Sequence, residues 1–323
     1  MNAYIWWLIA AATAFVCAAF SEWFLRRQGV VGRIGTVVAV GLLYVTPLLP
    51  PGDLVRTRAM TALVAILLTF KILDFRRHCI GTPDIVPSRA EFLRFLIPFP
   101  LVLLFGPHRS QLLEKPRLRP EVLRLVFGTA LFAAVFLALP CMQRMPSLQA
   151  SFLLDHSMKV GLFVVAIESL SMALLALERL AGFDTRPLGD RVYLSRTVAE
   201  FWLRYNTRVH DWLYHNVFQR TGGRRTPVRA VFLTFFVSGV FHEWMFGIAT
   251  SRFDGYQFAF FMLQAPACLL SSKLQRLARQ PILPTKILAH GITIGWFTLT
   301  SILFFHGVNR VFDFTYAAES WLP

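Results

Sequence analysis

The stretch VFLTFFVSGVFHEWMFGIAT, Val231 to Thr250, sets a histidine and a glutamate side by side, His242 and Glu243, inside an otherwise apolar run that begins near Val228. At about 1.5 Å per helical residue, such a run is long enough to cross a hydrocarbon core about 30 Å thick. A charged side chain within a span costs about 2.5 to 3.5 kcal/mol on insertion scales, so an ionisable group there turns to a cavity or a partner and reads as functional by default. His242 lies about 21 Å along a helix begun at Val228, somewhat past the bilayer midplane. Ser238 stands one turn before it, and Gly239 and Gly247 leave room for a neighbouring helix or a substrate. The plainer reading is a structural histidine bonded to another helix, with Glu243 as its local partner.

Outside this run the same character recurs. The 323 residues are 55% hydrophobic and 16% charged, with a mean hydropathy of +0.53, too apolar for an ordinary water-soluble domain. Apolar stretches of crossing length occur at roughly 3–20, 34–50, 59–73, 122–142, 158–178, 228–250, 256–272 and 287–306. The expectation is an all-α, multi-pass transmembrane helical protein with about eight spans plus re-entrant or interfacial helices, a single integral membrane domain over 1–323. A ninth segment, Phe92 to Phe105, is short, carries Arg94 and contains Pro98 and Pro100, which break a helix interior. If it does not cross, the inward connections 21–33, 71–124, 179–229 and 273–286 hold 27 of the 33 Lys and Arg residues. Cytoplasmic loops are enriched in those residues, so 92–105 reads as re-entrant or interfacial, with both termini on the non-cytoplasmic side. Arg56, Arg58, Arg144, Lys159, Arg252 and Arg310 then remain outside. In a bacterium the host bilayer would be the cytoplasmic membrane. The run Tyr4 to Phe20 has the length of a signal peptide, but the first basic residue is Arg26, after it, so it reads as the first span.

Two classes are set aside on composition. The net charge of +15 lies between apolar runs rather than on a separable module, which argues against nucleic acid as a partner. Cys17, Cys79, Cys141 and Cys268 show neither CxxC nor His–Cys ligand spacing, so no disulfide framework, metal site or resident cofactor is indicated. No internal repeat of the kind many transporters carry is visible. Oligomeric state is not readable from the sequence.

The connection 179–229 is too long for a bare loop and too rich in Trp, Phe, Tyr and Leu for a disordered one, so it should be structured. Within TVAEFWLRYNTRVHDWLYHNVF, Thr197 to Phe218, the residues Phe201, Trp202, Tyr205, Val209, Trp212, Leu213 and Val217 recur at helical spacing. Arg204, Arg208, Asp211 and His215 fall mostly on the other side. The pattern predicts one amphipathic helix at the inner interface, started by a Thr197–Glu200 capping box and ended near GGRR, Gly222 to Arg225.

FWLRYN, Phe201 to Asn206, and SGVFHEW, Ser238 to Trp244, taken together, resemble the membrane-bound O-acyltransferase superfamily, whose members carry an FW-x-R-W-N-like segment and then an S-G-x-x-H-E-like segment in the next span. RPLGDRVYLSRTVAEFWLRYNTRVHDWL, Arg186 to Leu213, looks most like its plant-type wax synthase branch. The specific likeness covers about Arg186 to Gly247, with FFMLQ, Phe260 to Gln264, beyond it; the first 180 residues match in character only. Leu203 replaces the family's small residue and Tyr205 its second tryptophan, so the pocket around the motif differs.

The resemblance implies an MBOAT-like fold, His242 as catalytic histidine, Asn206 as its partner, and transfer of a fatty acyl group from acyl-CoA, a co-substrate, to a hydroxyl. The chemistry is consistent with this. A neutral imidazole, with an ordinary pKa near 6.5, can take the proton of an alcohol attacking a thioester. Asn206 can donate to the thioester carbonyl or accept from the alcohol, and the sequence leaves both open. Acyl chain and lipid alcohol dissolve in the bilayer while the CoA headgroup is anionic, so Arg204, Arg208, Arg224 and Arg225 are candidates for its phosphates, against ordinary positive-inside anchoring. Trp202, Ser238, Glu243 and His210 complete the candidate substrate-binding set. Glu243 points about 100° away from His242, which favours a structural role. His78, His108, His156, His215, His290 and His306 lie near span ends or in connections and need no special function. The acceptor expected is a long-chain alcohol, giving a wax ester; a sterol, diacylglycerol, secondary metabolite or glycan is the alternative. A proton-coupled transporter using His242 and Glu243 would leave FWLRYN unexplained, and a scaffold would not need His242 for function.

Overall fold

A computed structural model describes residues 2–82, 87–106, 111–113, 117–279 and 283–312. The chain is carried by helices α1 (Ala3–Phe20), α2 (Glu22–Leu25), α3 (Gly29–Val45), α4 (Val55–Gly81), α5 (Arg89–Leu96), α6 (Leu118–Met142), α7 (Pro146–Gln149), α8 (Phe152–Leu180), α9 (Val198–Arg204), α10 (Thr207–Leu213), α11 (Pro227–Thr250), α12 (Tyr256–Arg279) and α13 (Leu283–Phe312). Two-residue strands β1 (Gln111–Leu112) and β2 (Phe183–Asp184) pair antiparallel. His108 lies outside the described residues.

Among the described residues, six helical segments are long and apolar enough to cross a membrane: α1, α3 with its extension to Leu48, α6, α8, α11 and α13. The chain is thus an all-α, multi-pass integral membrane protein. Helices α4 and α12, at 27 and 24 residues, cover the third and seventh expected spans and run beyond them but fall short in apolarity. The reason is polar groups turned inward: Lys71 and Asp74 of α4, and Gln257, Gln264 and Ser271 of α12, are all buried.

The residues divide into two compact units. The first comprises Met1–Ser110 and Val240–Gly255, the second Gln111–Gly239 and Tyr256–Pro323.

In the first unit Ala14, Ala18, Leu25, Leu43, Leu68, Ile72, Phe75 and Phe92 form a continuous core. The buried alanines of α1, Ala10, Ala11, Ala14 and Ala18, let backbones approach where lipid supplies no hydrophobic drive for helices to associate. Segment 92–105 does not form a span. Helix α5, about 12 Å long, starts at a complete capping box between Ser88 and Glu91 and is followed by irregular chain through Pro98 and Pro100. Helix α4 satisfies the backbone this exposes. Lys71 Nζ donates to Phe95 O at 2.6 Å and Ile97 O at 2.8 Å, and Asp74 Oδ2 accepts from Phe105 N at 2.6 Å.

In the second unit a side chain at Gly128 would lie 2.9 Å from Ser169 O, so this glycine lets α6 lie directly on the backbone of α8. Helix α8 begins at Phe152, six residues before its expected start. Lys159 is therefore not an outer-loop charge: it is 1% exposed and bonded 2.7 Å from Asp155, which sits one turn earlier. Phe235, Phe260, Phe261 and Ala265 form a second core, against which Trp202 packs.

Candidate active site

The connection that follows α8 runs back along that helix. Thr185 and Arg208 bond Glu178; Gly189 N donates to Ser171 Oγ at 2.9 Å, and Ser171 Oγ donates to Gly189 O at 3.1 Å; Val192 N–H donates to the Glu168 carboxylate. From Glu178 to Glu168 is ten residues, a rise of about 15 Å. Residues 185–192 thus descend beside a helix of spanning length, whose polar side chains bond the backbone of Gly189 and Val192. His290 Nδ1 lies 2.8 Å from Ser195 O, and Ala199 N donates to Ser271 Oγ at 3.1 Å, tying the next turn to α13 and α12.

In place of the single amphipathic helix expected over Thr197–Phe218, there are two helices, α9 and α10, the second widening into a π-helical segment over Tyr214–Phe218. Thr197 Oγ1 caps α9 by accepting from Glu200 N at 3.1 Å, while the Glu200 carboxylate takes Arg196 N. The helix breaks at Tyr205, which is extended, and Asn206, which is left-handed at φ 44. Asparagine tolerates that conformation because its short side chain bonds locally. Here Asn206 Oδ1 accepts from Val209 N at 3.4 Å and caps α10. Thr207 fixes the break, its N–H donating to Leu188 O at 2.8 Å and its hydroxyl to Pro187 O at 2.6 Å.

Two of the arginines expected at CoA phosphates are committed elsewhere. Arg208, 7% exposed, donates to both oxygens of Glu178, with Nη1 at 2.7 Å from Oε1, and from Nε to Arg186 O at 3.0 Å. Its guanidinium is thus paired within the protein, with a buried carboxylate. Arg204 is half-buried, bonded to Glu200 at 2.8 Å and to Asp190 O at 3.2 Å. Arg224 and Arg225 are exposed. The signal for the Arg208 pairing was Glu178, thirty positions upstream, at the last turn of an apolar span.

Trp202 lies among Phe235, Phe260, Phe261 and Phe297, with ring centroids 5.5 to 6.3 Å away, and edge-on to Tyr205 at 5.6 Å. Its indole N–H is buried with no hydrogen-bond partner among the described residues. Burial pushes the Tyr205 phenol up to about 12. His210 Nδ1 lies 3.5 Å from Asp211 Oδ1. Burial works to raise the Asp211 pKa, but His210 and Arg186, the latter 2.6 Å away, outweigh it and hold the carboxyl below its ordinary value. Ser238 is buried in α11. The candidates Trp202, Arg204, Asn206, Arg208, His210 and Ser238 all belong to the second unit; His242 and Glu243 belong to the first.

In the first unit His242 is half-buried, between Phe241, edge-on to Phe70 at 4.9 Å, and Glu243. Trp244 packs on Tyr44 at 4.0 Å. Glu243 Oε1 accepts from Gly255 N at 2.8 Å, closing the turn after α11. Gly247 permits that turn, since a Cβ there would lie 2.3 Å from the Phe253 ring. His156, which the sequence placed near a span end, is fully buried, with Nε2 at 2.9 Å from Thr298 O and 3.0 Å from Ser301 Oγ.

The profile of the family described as MBOAT, membrane-bound O-acyltransferase family, matches residues 109–304. Among curated proteins, diacylglycerol O-acyltransferase 1C of Glycine max is 28% identical over 136 residues, 42% of this chain and 26% of that protein. Diacylglycerol O-acyltransferase 1 of Corylus americana is 27% identical over 129 residues, 38% of this chain and 24% of that protein. The matched stretch spans about a quarter of the length of these relatives.

Proposed function

Because the chain belongs to the membrane-bound O-acyltransferase family, we propose that it transfers a fatty acyl group from acyl-CoA to the hydroxyl of a lipid alcohol. The observation that carries this reading is His242, an imidazole in a helix of spanning length and apolarity, within the range the family profile matches. In the reaction the acceptor oxygen attacks the thioester carbonyl carbon while His242 takes the hydroxyl proton. The C–S bond breaks as the tetrahedral oxyanion collapses, and the imidazolium returns the proton to the departing CoA thiolate. Protons balance, and no covalent enzyme intermediate is needed.

The capping bond of Asn206 supports one of its two roles over the other. With Oδ1 accepting from Val209 N, the Nδ2 amide is the group left to donate, and it polarises the thioester carbonyl. The unpartnered indole N–H of Trp202 offers a second donor to substrate. Arg224 and Arg225, exposed ahead of α11, meet the CoA phosphates. The acceptor is a long-chain alcohol, giving a wax ester, on the likeness of Arg186–Leu213 to wax synthases. The names of the curated relatives favour a second reading, diacylglycerol. The distribution of basic residues supports both termini on the non-cytoplasmic side, and in a bacterium the host bilayer would be the cytoplasmic membrane.

The test is CoA release by membranes holding the wild type or His242→Ala, with palmitoyl-CoA and either hexadecanol or diacylglycerol supplied and the ester identified by mass. Wild-type ester formation that vanishes in the variant is expected. Undiminished turnover by His242→Ala would overturn the mechanism, and product from diacylglycerol alone would replace the acceptor.

A further inference from the structure

Outside the acyl-transfer residues, the first unit holds a group of arginines with more positive charge than its acids neutralise. Glu22 bonds Arg26 at 2.7 Å and lies 3.5 Å from Arg89, and Asp74 bonds Arg77 at 2.6 Å. Arg27, Arg33 and Arg76 have no acidic partner among the described residues. Arg76 reaches in from α4, its Nη1 donating to Phe24 O and Arg27 O, both at 3.1 Å. Gly32 makes this approach possible, since a Cβ there would lie 1.9 Å from Arg27 O and 2.9 Å from Arg76 Nη1. The positive charge of Arg33 is near enough to act repulsively on Arg76. The exposed Arg27 stacks on the exposed Trp23, 3.6 Å from its ring centroid. All of this surrounds the first turn of α3, where Gln28 gives no side-chain cap and the helix dipole adds positive field.

The surroundings are apolar. Trp23, Val30, Val31 and Ile34 are 52%, 69%, 52% and 59% exposed, on and just before a helix of spanning length. A water-soluble phosphate compound has no use for such neighbours, whereas a phospholipid carries its phosphate and its acyl chains together. We propose that Arg27, Arg33 and Arg76 bind the phosphate of an anionic phospholipid whose chains lie along Val30, Val31 and Ile34. Trp23 sits at headgroup depth beside it, as aromatic residues do at membrane interfaces. Basic pockets between helices on the inner face recognise anionic headgroups by this chemistry. The inference is independent of the acyl-transfer reading.

The full chain, purified in detergent and stripped of lipid, is titrated with dioleoylphosphatidylglycerol or dioleoylphosphatidylcholine, and bound lipid is read by native mass spectrometry. Phosphatidylglycerol should bind at least about tenfold more tightly than phosphatidylcholine, and Arg27→Gln/Arg33→Gln should weaken it about twenty-five-fold, at about fivefold per arginine. Both side chains are exposed, so the thermal midpoint in phosphatidylcholine should match the wild type; Arg76 is left intact because it also caps backbone carbonyls. Arg144→Gln/Arg252→Gln removes the same charge from two other exposed positions and should leave binding unchanged. Absence of a headgroup preference, or its survival in the first double variant, would overturn the site. Equal loss in the second would reduce it to diffuse charge. Millimolar CoA or inorganic phosphate should not displace the lipid; displacement would assign the cluster to soluble phosphates instead.

Discussion

In α4 the buried charges serve backbone, Lys71 donating to the carbonyls of Phe95 and Ile97 and Asp74 accepting from the Phe105 N–H, although Asp74 also pairs with Arg77. In α8 the buried charges meet other charges, Asp155 with Lys159 and Glu178 with Arg208, while Ser171 and Glu168 look after the backbone of 189 and 192. Both helices solve the same problem. Chain that is not helical at membrane depth has no water to bond to, and it persists only where protein supplies partners. The difference lies in what is left behind when one partner is lost. Breaking a charge pair strands a buried ion, at about 3 to 5 kcal/mol, whereas removing a backbone partner strands a neutral carbonyl or amide, at about 1 to 3 kcal/mol.

Arg208→Ala tests the larger of these. It strands Glu178 and releases Arg186 O, so stability in detergent should fall by about 3 to 5 kcal/mol, read as the shift in an unfolding titration. Esterification should fall with it, because 185–208 loses its anchor on α8. Arg208→Lys cannot reproduce the two-pronged pair and should recover only part of the loss. A cost below that of Lys71→Met in α4 would break the distinction between the two helices.

Lys71→Met keeps the length and apolar stem of the side chain and removes only the ammonium. Two buried carbonyls lose their donor, while the desolvation cost of the lysine disappears, so the net loss should be about 2 kcal/mol by the same titration. The structural consequence should be local: protease or hydrogen-exchange susceptibility should rise in 97–105 and leave the core of α1 and α4 unchanged. Global loosening would mean that Lys71 holds more than the irregular segment.

The sequence made some of this legible and hid the rest for identifiable reasons. The apolar run around His242 announced a membrane helix because composition alone decides that, and Pro98 and Pro100 announced that 92–105 would not continue one. Lys159 counts among the outward charges at the edge of the 158–178 span, although Asp155 at i−4 signals that both belong to one longer helix. The partner of Arg208 was hidden by a separation of thirty positions. The break at Tyr205 and Asn206 was hidden differently: aromatic spacing runs through it undisturbed, and only the bonds from Thr207 to Pro187 and Leu188 select two short helices over one long one. The ion pairs and the break belong to tertiary structure, which periodicity does not report.

That break yields the smallest expected change in stability and the sharpest separation of roles. Asn206 holds a left-handed turn and caps α10 through Oδ1, and in the proposed mechanism donates through Nδ2. Asn206→Ala removes all three at once and cannot tell structure from chemistry. Asn206→Asp keeps the acceptor, tolerates the left-handed backbone and places a negative charge at a helix N-terminus, where the dipole favours it, so stability should change by less than about 0.5 kcal/mol. It has no amide to donate, and its charge would oppose an oxyanion. Ester formation should drop by about a hundredfold or more, with the KM for acyl-CoA little changed, if the amide acts on the developing negative charge. A stable Asn206→Asp enzyme with near-normal turnover would leave Asn206 as the cap of α10 alone and move the search for the oxyanion donor to Trp202.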